Sequence, residues 1–339
     1  MLWQHLLAKA TSIHAMSKDS DPALYPACEP FAHGFLPEMA GHQVYFEQCG
    51  HPQGLPIVFL HGGPGGGCNP QHRQLFNPRT THAVLFDQRA CGRSLAQSPL
   101  TANTTDDLIE DIERMRVQLG ISAWLVVGGS WGGGLALAYA RAHPQACLGL
   151  VLRGVFLSRP SDLQWFFQDA RQCLPDAWAA LAEAMPQAHR DNLGSYLYHQ
   201  IQTAPESTAV ALAQAWQAWE NALTQRNFTA TAPASVSASA KDALLAKYRL
   251  QSHYLQNACF FPPDGLLPHL QGLRELPIHL LHGRLDWICR PESAWAVHHA
   301  LPHSRLEWID QAGHSLFESA MTPAVVRAID AMVNQVQAT

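Results

Sequence analysis

The stretch Gly128-Gly129-Ser130-Trp131-Gly132 constrains this chain more than any other, because it is a G-x-S-x-G lying directly between a predicted strand and a predicted helix. Glycines two residues either side of the serine allow a tight turn that lifts the hydroxyl above the carboxyl edge of a sheet. The bland alternative is a glycine-rich strand-to-helix turn in which the serine is incidental. What surrounds the pentapeptide decides between the two.

Short apolar runs alternate with helical spacing through the first half. Residues 43–47, 57–60, 83–86 and 124–127 read as strands, and 105–119 and 135–142 as helices. Thr104 or Thr105 can cap the first helix, and Asp106, Asp107 and Glu110 suit the positive end of its dipole. Strands alternating with helices and ending in glycine-rich turns predict an α/β fold, a mostly parallel sheet with helices on both faces. In such sheets chemistry gathers at the carboxyl ends of the strands, where the glycine turns lie.

From about 156 to 261 the strand signals vanish, and Trp165, Phe166, Trp178, Trp216 and Trp219 recur at helical spacing. Strands resume at 278–281 and 306–309. The expected organisation is an N-terminal extension (1–25), a sheet-and-helix core (26–155 and 262–339) and an inserted all-helical cap (156–261). Within the cap, 229–240 (TATAPASVSASA) is small and polar and reads as a mobile loop.

Apolar residues make up 47% of the 339, enough for a sizeable core, while charged residues are 14% with a net charge of −5. That balance, with no clustered basic excess, excludes a nucleic-acid binder. No apolar run approaches the roughly 18 residues that span a bilayer, so no membrane association is expected. The opening MLWQHLLAKATSIHAM lacks a basic start and a cleavage site, so no signal peptide is expected either. The 19 histidines are scattered, without HExxH or a tight His/Cys cluster, and predict no metal. The eight cysteines form no CxxC pair and suit reduced, mostly buried thiols in a cytoplasmic protein.

A serine hydroxyl is a weak nucleophile and needs a base held in one tautomer. When a serine sits on such an elbow, the acid and then the histidine follow it in the chain. The run 278–281 leads through His282-Gly283-Arg284-Leu285 to Asp286, and 306–309 leads through Asp310-Gln311-Ala312-Gly313 to His314. Ser130 as nucleophile, Asp286 as acid and His314 as base therefore stand in order, each after a strand. Asp310 is the competing acid and His282 the competing base, ranked lower as sitting at less exposed places in their loops. The oxyanion donors are expected at Trp131 N–H and in His61-Gly62-Gly63-Pro64-Gly65, with Gly63 preferred over Gly62. The other reading of that loop, a phosphate cradle, lacks the Gly-Lys-Ser/Thr it requires. Together these features predict the α/β-hydrolase fold.

In order and spacing the motifs resemble the proline iminopeptidase (prolyl aminopeptidase) family of α/β hydrolases, over roughly residues 25 to 335. Further matching stretches are Tyr45 to Gly50, Asp87-Gln88-Arg89 with Gly92-Arg93-Ser94, Val151 to Phe156 and Trp216 to Glu220. The resemblance implies cleavage of an N-terminal residue, typically proline, with cap acids reading the free amine and aromatics packing on the pyrrolidine ring. It carries Glu220 over as one amine-binding acid and Phe156 as a pocket aromatic. The second acid falls at Gln251, in Arg249-Leu250-Gln251-Ser252-His253-Tyr254, and Phe166 or Phe167 stands where the family places tyrosine. Ala90 replaces the glycine usual after Asp-Gln-Arg.

The chemistry expected is acyl transfer from a small peptide, amide or ester substrate to Ser130 and then to water, with no cofactor. Two alternatives accompany it. One is an esterase or amidase for small apolar acyl groups, favoured by Gln251 and the Phe-rich cap; the other is a non-catalytic binding protein of the same fold.

Overall fold

The computed structural model describes residues 24–229 and 237–338. The expected extension (1–25) therefore lies almost wholly outside the described residues, as does 230–236 of the expected loop. In chain order the first elements are β1 (Ala32–Phe35), β2 (His42–Gln43), β3 (Tyr45–Gly50), β4 (Leu55–Leu60), α1 (Pro70–Arg73), β5 (Thr81–Phe86) and β6 (Leu95–Ala96). There follow α2 (Thr105–Gln118), β7 (Trp124–Gly129), α3 (Trp131–Ala142) and β8 (Cys147–Arg153). Next come five helices, α4 (Pro160–Phe167), α5 (Pro175–Glu183), α6 (Leu193–Thr203), α7 (Glu206–Gln225) and α8 (Ala238–Gln256). The chain closes with β9 (Ile278–Gly283), α9 (Pro291–Ala300), β10 (Arg305–Ile309) and α10 (Met321–Gln337).

Eight strands form one sheet in the order β1-β3-β5-β4-β7-β8-β9-β10. The β1–β3 and β3–β5 pairs are antiparallel and every later pair is parallel. Every residue of β5, β7 and β9 is buried, as expected for strands covered on both faces. The chain steps from β4 to β5 on one side and then returns past β4 to β7 on the other. The carboxyl ends of β4 and β7 thus flank the point where strand order reverses, the usual crevice of an open α/β sheet.

Local chemistry accounts for several boundaries. Thr104 and Asp107 form a reciprocal capping box at the start of α2, in line with the cap expected there. Residues 43–47 are not one strand: the chain breaks at Val44, whose carbonyl accepts from Leu36 N–H at 2.9 Å, and β3 runs on to Gly50. The helix read over 135–142 starts at Trp131. Gly132, Gly133 and Gly134 have poor helix propensity, yet tertiary packing fixes them: a Cβ at Gly132 would strike the Leu60 carbonyl, and one at Gly134 the Phe156 carbonyl. Strand β8 carries a weak signal in the sequence, because glycine interrupts its apolar run Cys147-Leu148-Gly149-Leu150. The loop expected over 229–240 is corrected at its end, where Ser237 caps α8 and 238–240 are helical. Between β8 and β9 the described residues contain helices and turns but no strand. Among the described residues no helix is long and apolar enough to cross a membrane.

Candidate active site

Strand β7 delivers Ser130 on a backbone of φ 58° and ψ −124°, a conformation rare for a residue with a side chain. Such strain persists only where the surroundings enforce it. Here Ser130 N–H donates to the Arg153 carbonyl (2.9 Å), and the Ser130 carbonyl accepts from Gly133 (3.0 Å) and Phe156 (3.1 Å). The elbow glycines leave no room for side chains, since a Cβ at Gly128 would overlap the Gly132 carbonyl.

His314 Nε2 lies 3.0 Å from Ser130 Oγ, and His314 Nδ1 lies 2.8 Å from Asp286 Oδ2. Asp286 is 2% exposed, and its other oxygen accepts from the N–H groups of Ile288 (3.0 Å) and Cys289 (2.9 Å). Burial alone would raise its pKa. The charge and hydrogen bond of His314, the neighbouring His282 and the Cys289 N–H outweigh burial and hold the carboxyl below its usual range. An ionised Asp286 keeps the proton of neutral His314 on Nδ1, so that Nε2 presents a lone pair to Ser130.

The His314 loop is tied down from two directions. Glu318 accepts from Gly313 N–H (2.7 Å) and Ser315 N–H (3.3 Å) while pairing with Arg226 at the end of α7 (3.2 Å). From below, the buried Arg153 guanidinium donates to the His314 carbonyl. Neither Arg153, which lies inside the matching stretch Val151 to Phe156, nor Arg226 is assigned a role from the sequence.

The two competing residues fall elsewhere. His282 is fully buried and binds the Cys289 carbonyl through Nε2 (2.8 Å), beside Asp286 at 3.5 Å, whereas the imidazole at Ser130 Oγ is that of His314. The Asp310 carboxylate is 86% exposed, with Arg284 3.5 Å away. The exposure argument is thereby corrected for Asp310: the more exposed acid is the one without a line to His314.

The glycine loop after β4 is braced by Gln88. Its N–H donates to His61 Nε2 (3.0 Å), and its side chain binds both the His61 carbonyl (3.0 Å) and the Trp131 indole N–H (2.8 Å). Accepting at Nε2 leaves His61 Nδ1 to donate to the Gly62 carbonyl at 2.8 Å. Gly63 has φ +135°, and a Cβ there would press on Gly65 N and Gly66 N at 2.7 Å. Gly62 also adjoins the serine, its would-be Cβ lying 3.4 Å from Ser130 Cβ. Gly63 lines the cavity over Ser130, and Trp131 N–H opens α3.

That cavity, about 200 Å³, has Ser130 and His314 at one side and Phe156, Phe166, Leu163 and Leu255 among its walls. Phe167 is turned away and buried in the hydrophobic core. Glu220 and Gln251 both line the cavity and touch each other, Gln251 Nε2 donating to Glu220 Oε1 at 2.6 Å. Two further donors reach Glu220 Oε2: Tyr248 Oη (2.7 Å) and Lys247 Nζ (3.1 Å). Sequence reasoning missed Lys247, although it precedes Gln251 by one helical turn and so shares its face of α8. Among the described residues no group of three or more His, Cys, Asp or Glu could hold a metal ion, and none of the eight cysteines is bonded to another.

Residues 56–320 match the family described as the alpha/beta hydrolase fold. A proline iminopeptidase of Xylella fastidiosa (strain Temecula1 / ATCC 700964) is 44% identical over 316 residues, covering 91% of this chain and 99% of the relative. The chain belongs to the proline iminopeptidase family of α/β hydrolases. A probable proline iminopeptidase of Leptolyngbya boryana is 42% identical, covering 92% of this chain and 97% of that one. The Arabidopsis thaliana proline iminopeptidase is 39% identical over 91% of this chain and 82% of its own length. Among solved structures, a proline iminopeptidase-related protein from Thermus thermophilus aligns with a TM-score of 0.55 at 20% identity, covering 89% of this chain and 98% of that one. A putative aryl esterase from Burkholderia cenocepacia aligns at 0.59 and 17% identity, covering 91% and 100%. These structural likenesses speak for the fold alone. The backbone also bears on the Ala90 departure: Ala90 has φ 57°, the left-handed region that glycine enters freely.

Proposed function

We propose that this chain is a serine hydrolase that releases an N-terminal residue, preferably proline, from peptides or amides through an acyl-enzyme. The observation that carries the reading is the continuous line Asp286–His314–Ser130, at 2.8 Å and 3.0 Å, opening on a cavity that holds a carboxylate, Glu220. Membership of the family supports the aminopeptidase activity, as the named relatives are proline iminopeptidases. In this reading Ser130 Oγ attacks the substrate carbonyl as His314 Nε2 takes its proton. The N–H groups of Gly63 and Trp131 bind the oxyanion, His314 then gives the proton to the leaving amine, and water repeats the cycle on the ester. Phe156 and Phe166 pack on the acyl residue, and Glu220, with Gln251 beside it, faces the substrate's amino end. The helical segment 156–261 acts as a cap over a core of 26–155 and 262–339. Eight unpaired thiols favour a reducing compartment, the cytoplasm.

A second reading, an esterase or amidase for uncharged acyl groups, draws on one observation: Glu220 already has a cation, Lys247, at 3.1 Å. A panel of Pro-, Ala- and N-blocked Pro-naphthylamides beside short p-nitrophenyl esters separates the two. The aminopeptidase reading expects the highest kcat/KM on Pro-naphthylamide with a free amine. A preference for blocked substrates or esters would refute it.

A further inference from the structure

We propose that Lys247 sets the charge preference of the acyl cavity, its ammonium occupying Glu220 as an internal rival to the substrate's amino group. The inference rests on the aminopeptidase reading and adds a specificity-determining residue to it.

Among the described residues, Glu220 and Lys247 are the only Asp, Glu, Lys or Arg that line the cavity. An ammonium entering the cavity therefore has one carboxylate to meet. A carboxylate accepts at about four positions. Three are taken, by Gln251 Nε2 at 2.6 Å, Tyr248 Oη at 2.7 Å and Lys247 Nζ at 3.1 Å. The first two donors are fixed: Gln251 is 7% exposed, Tyr248 is fully buried, and the Tyr248 ring packs on Trp216 at 5.1 Å. Burial, and then the Glu220 carboxylate, push the Tyr248 hydroxyl far up, so it stays protonated and donates. Lys247 differs from both. Its side chain is 32% exposed, and among the described residues Nζ otherwise touches only the Tyr248 hydroxyl (3.4 Å) and the face of the same ring (4.6 Å). It can swing out to water on a flexible stem.

The backbone of Lys247 is held much more firmly than its ammonium. A Cβ at Gly65 would come within 2.8 Å of the Lys247 carbonyl, so α8 at this point lies against the glycine loop that borders Ser130. The lysine is therefore anchored at the rim of the reaction centre, with a mobile charge directed at the cavity's carboxylate. A cationic substrate must displace that charge or bind beside it against like-charge repulsion. An uncharged acyl group meets neither penalty. Lys247 thus weakens selection for a free amine without touching the reacting atoms.

The test compares kcat/KM for Pro-β-naphthylamide with that for cyclopentanecarbonyl-β-naphthylamide, the same ring without its nitrogen. Wild type, Lys247→Met, Lys247→Arg and the double variant Lys247→Met/Glu220→Gln are measured. A hydrogen bond to a charged group corresponds to about ten- to a hundredfold in an equilibrium constant. Lys247→Met is expected to raise the free-amine to neutral ratio by about tenfold or more on that basis, through KM rather than kcat. Lys247→Arg keeps the wild-type ratio because the charge stays, and the double variant loses the gain because its recipient is gone. An unchanged ratio in Lys247→Met, or a parallel change on both substrates, overturns the inference while leaving the aminopeptidase reading intact. Absence of Ser130-dependent turnover of the free-amine substrate by wild type and by Lys247→Met alike would sink that reading, and the inference with it.

Discussion

Replacing Asp286 by asparagine isolates what the carboxylate does, since shape and most hydrogen bonds survive. The asparagine carbonyl can still accept from the N–H groups of Ile288 and Cys289, which now reach Asp286 Oδ1 at 3.0 and 2.9 Å. Its NH₂ then faces His314 Nδ1, where Asp286 Oδ2 sits at 2.8 Å. Two donors cannot share that line, so the imidazole proton moves to Nε2 and points at Ser130 Oγ, 3.0 Å away. The serine loses its proton acceptor. In the serine-protease template the same change costs about 10⁴ in kcat, and at 1.36 kcal/mol per tenfold this is about 5.5 kcal/mol of transition-state stabilisation. Asp310→Asn removes only an 86% exposed carboxylate with Arg284 3.5 Å away, and kcat should stay within about threefold of wild type. The assay is steady-state kinetics on Pro-naphthylamide, with circular dichroism to verify that both variants fold. A larger loss from Asp310→Asn than from Asp286→Asn would refute the reasoning.

Three further outcomes follow from the same contacts. Ala90→Gly relieves a left-handed alanine at φ 57° and, after the added entropy of the unfolded chain, should stabilise the fold by about 0.5–1 kcal/mol in urea titration. Gln251→Glu places a carboxylate where an amide donor now sits 2.6 Å from Glu220, so the pair would share a proton and one folded-state pKa would rise. The variant should lose about 1–3 kcal/mol at pH 8 and less at pH 5, because a raised carboxyl pKa favours folding only at lower pH. It should also move preference towards free-amine Pro-amides, read as the ratio of kcat/KM on Pro-naphthylamide to that on its N-blocked form. Burial lowers the pKa values of His61 and His282, and that of His72 to about 4. Unfolded imidazoles take up protons near pH 6.5 that these do not, so stability should hold above that pH and fall as pH drops from about 6.5 towards 4.

Much of the site is legible in the sequence because the fold marks it with punctuation. Ser130, Asp286 and His314 each follow a strand and have a glycine within three residues; Gly132 and Gly283 answer to backbone, the Leu60 and Ala312 carbonyls, while Gly313 faces the Arg226 and Glu318 side chains. Choosing between Asp286 and Asp310 is harder, because both follow strands closely. Exposure gives the wrong argument for the pair, since the carboxylate that serves the imidazole is itself buried, at 2%. What separates them is direction in space, which a sequence does not carry. Helix α3 shows the same limit: propensity reads its first turn as loop, and packing against Leu60 and Phe156 overrides it. The acyl cavity is the least legible part. Glu220 and Gln251 stand 31 positions apart and meet only because α7 and α8 pack together. Lys247 shares the α8 face of Gln251, one turn before it, but that spacing gains meaning only once Glu220 of α7 is seen beside it.

The most direct test of the account is covalent labelling with a fluorophosphonate, followed by intact mass and peptide mapping. An activated serine displaces fluoride, and the adduct is stable because it mimics the tetrahedral state bound by the oxyanion donors. The account predicts a single adduct per chain, on Ser130, with hydrolysis of Pro-naphthylamide lost in proportion to labelling, and no adduct in Ser130→Ala. An adduct elsewhere, or full activity in a completely labelled protein, would contradict Ser130 as the nucleophile.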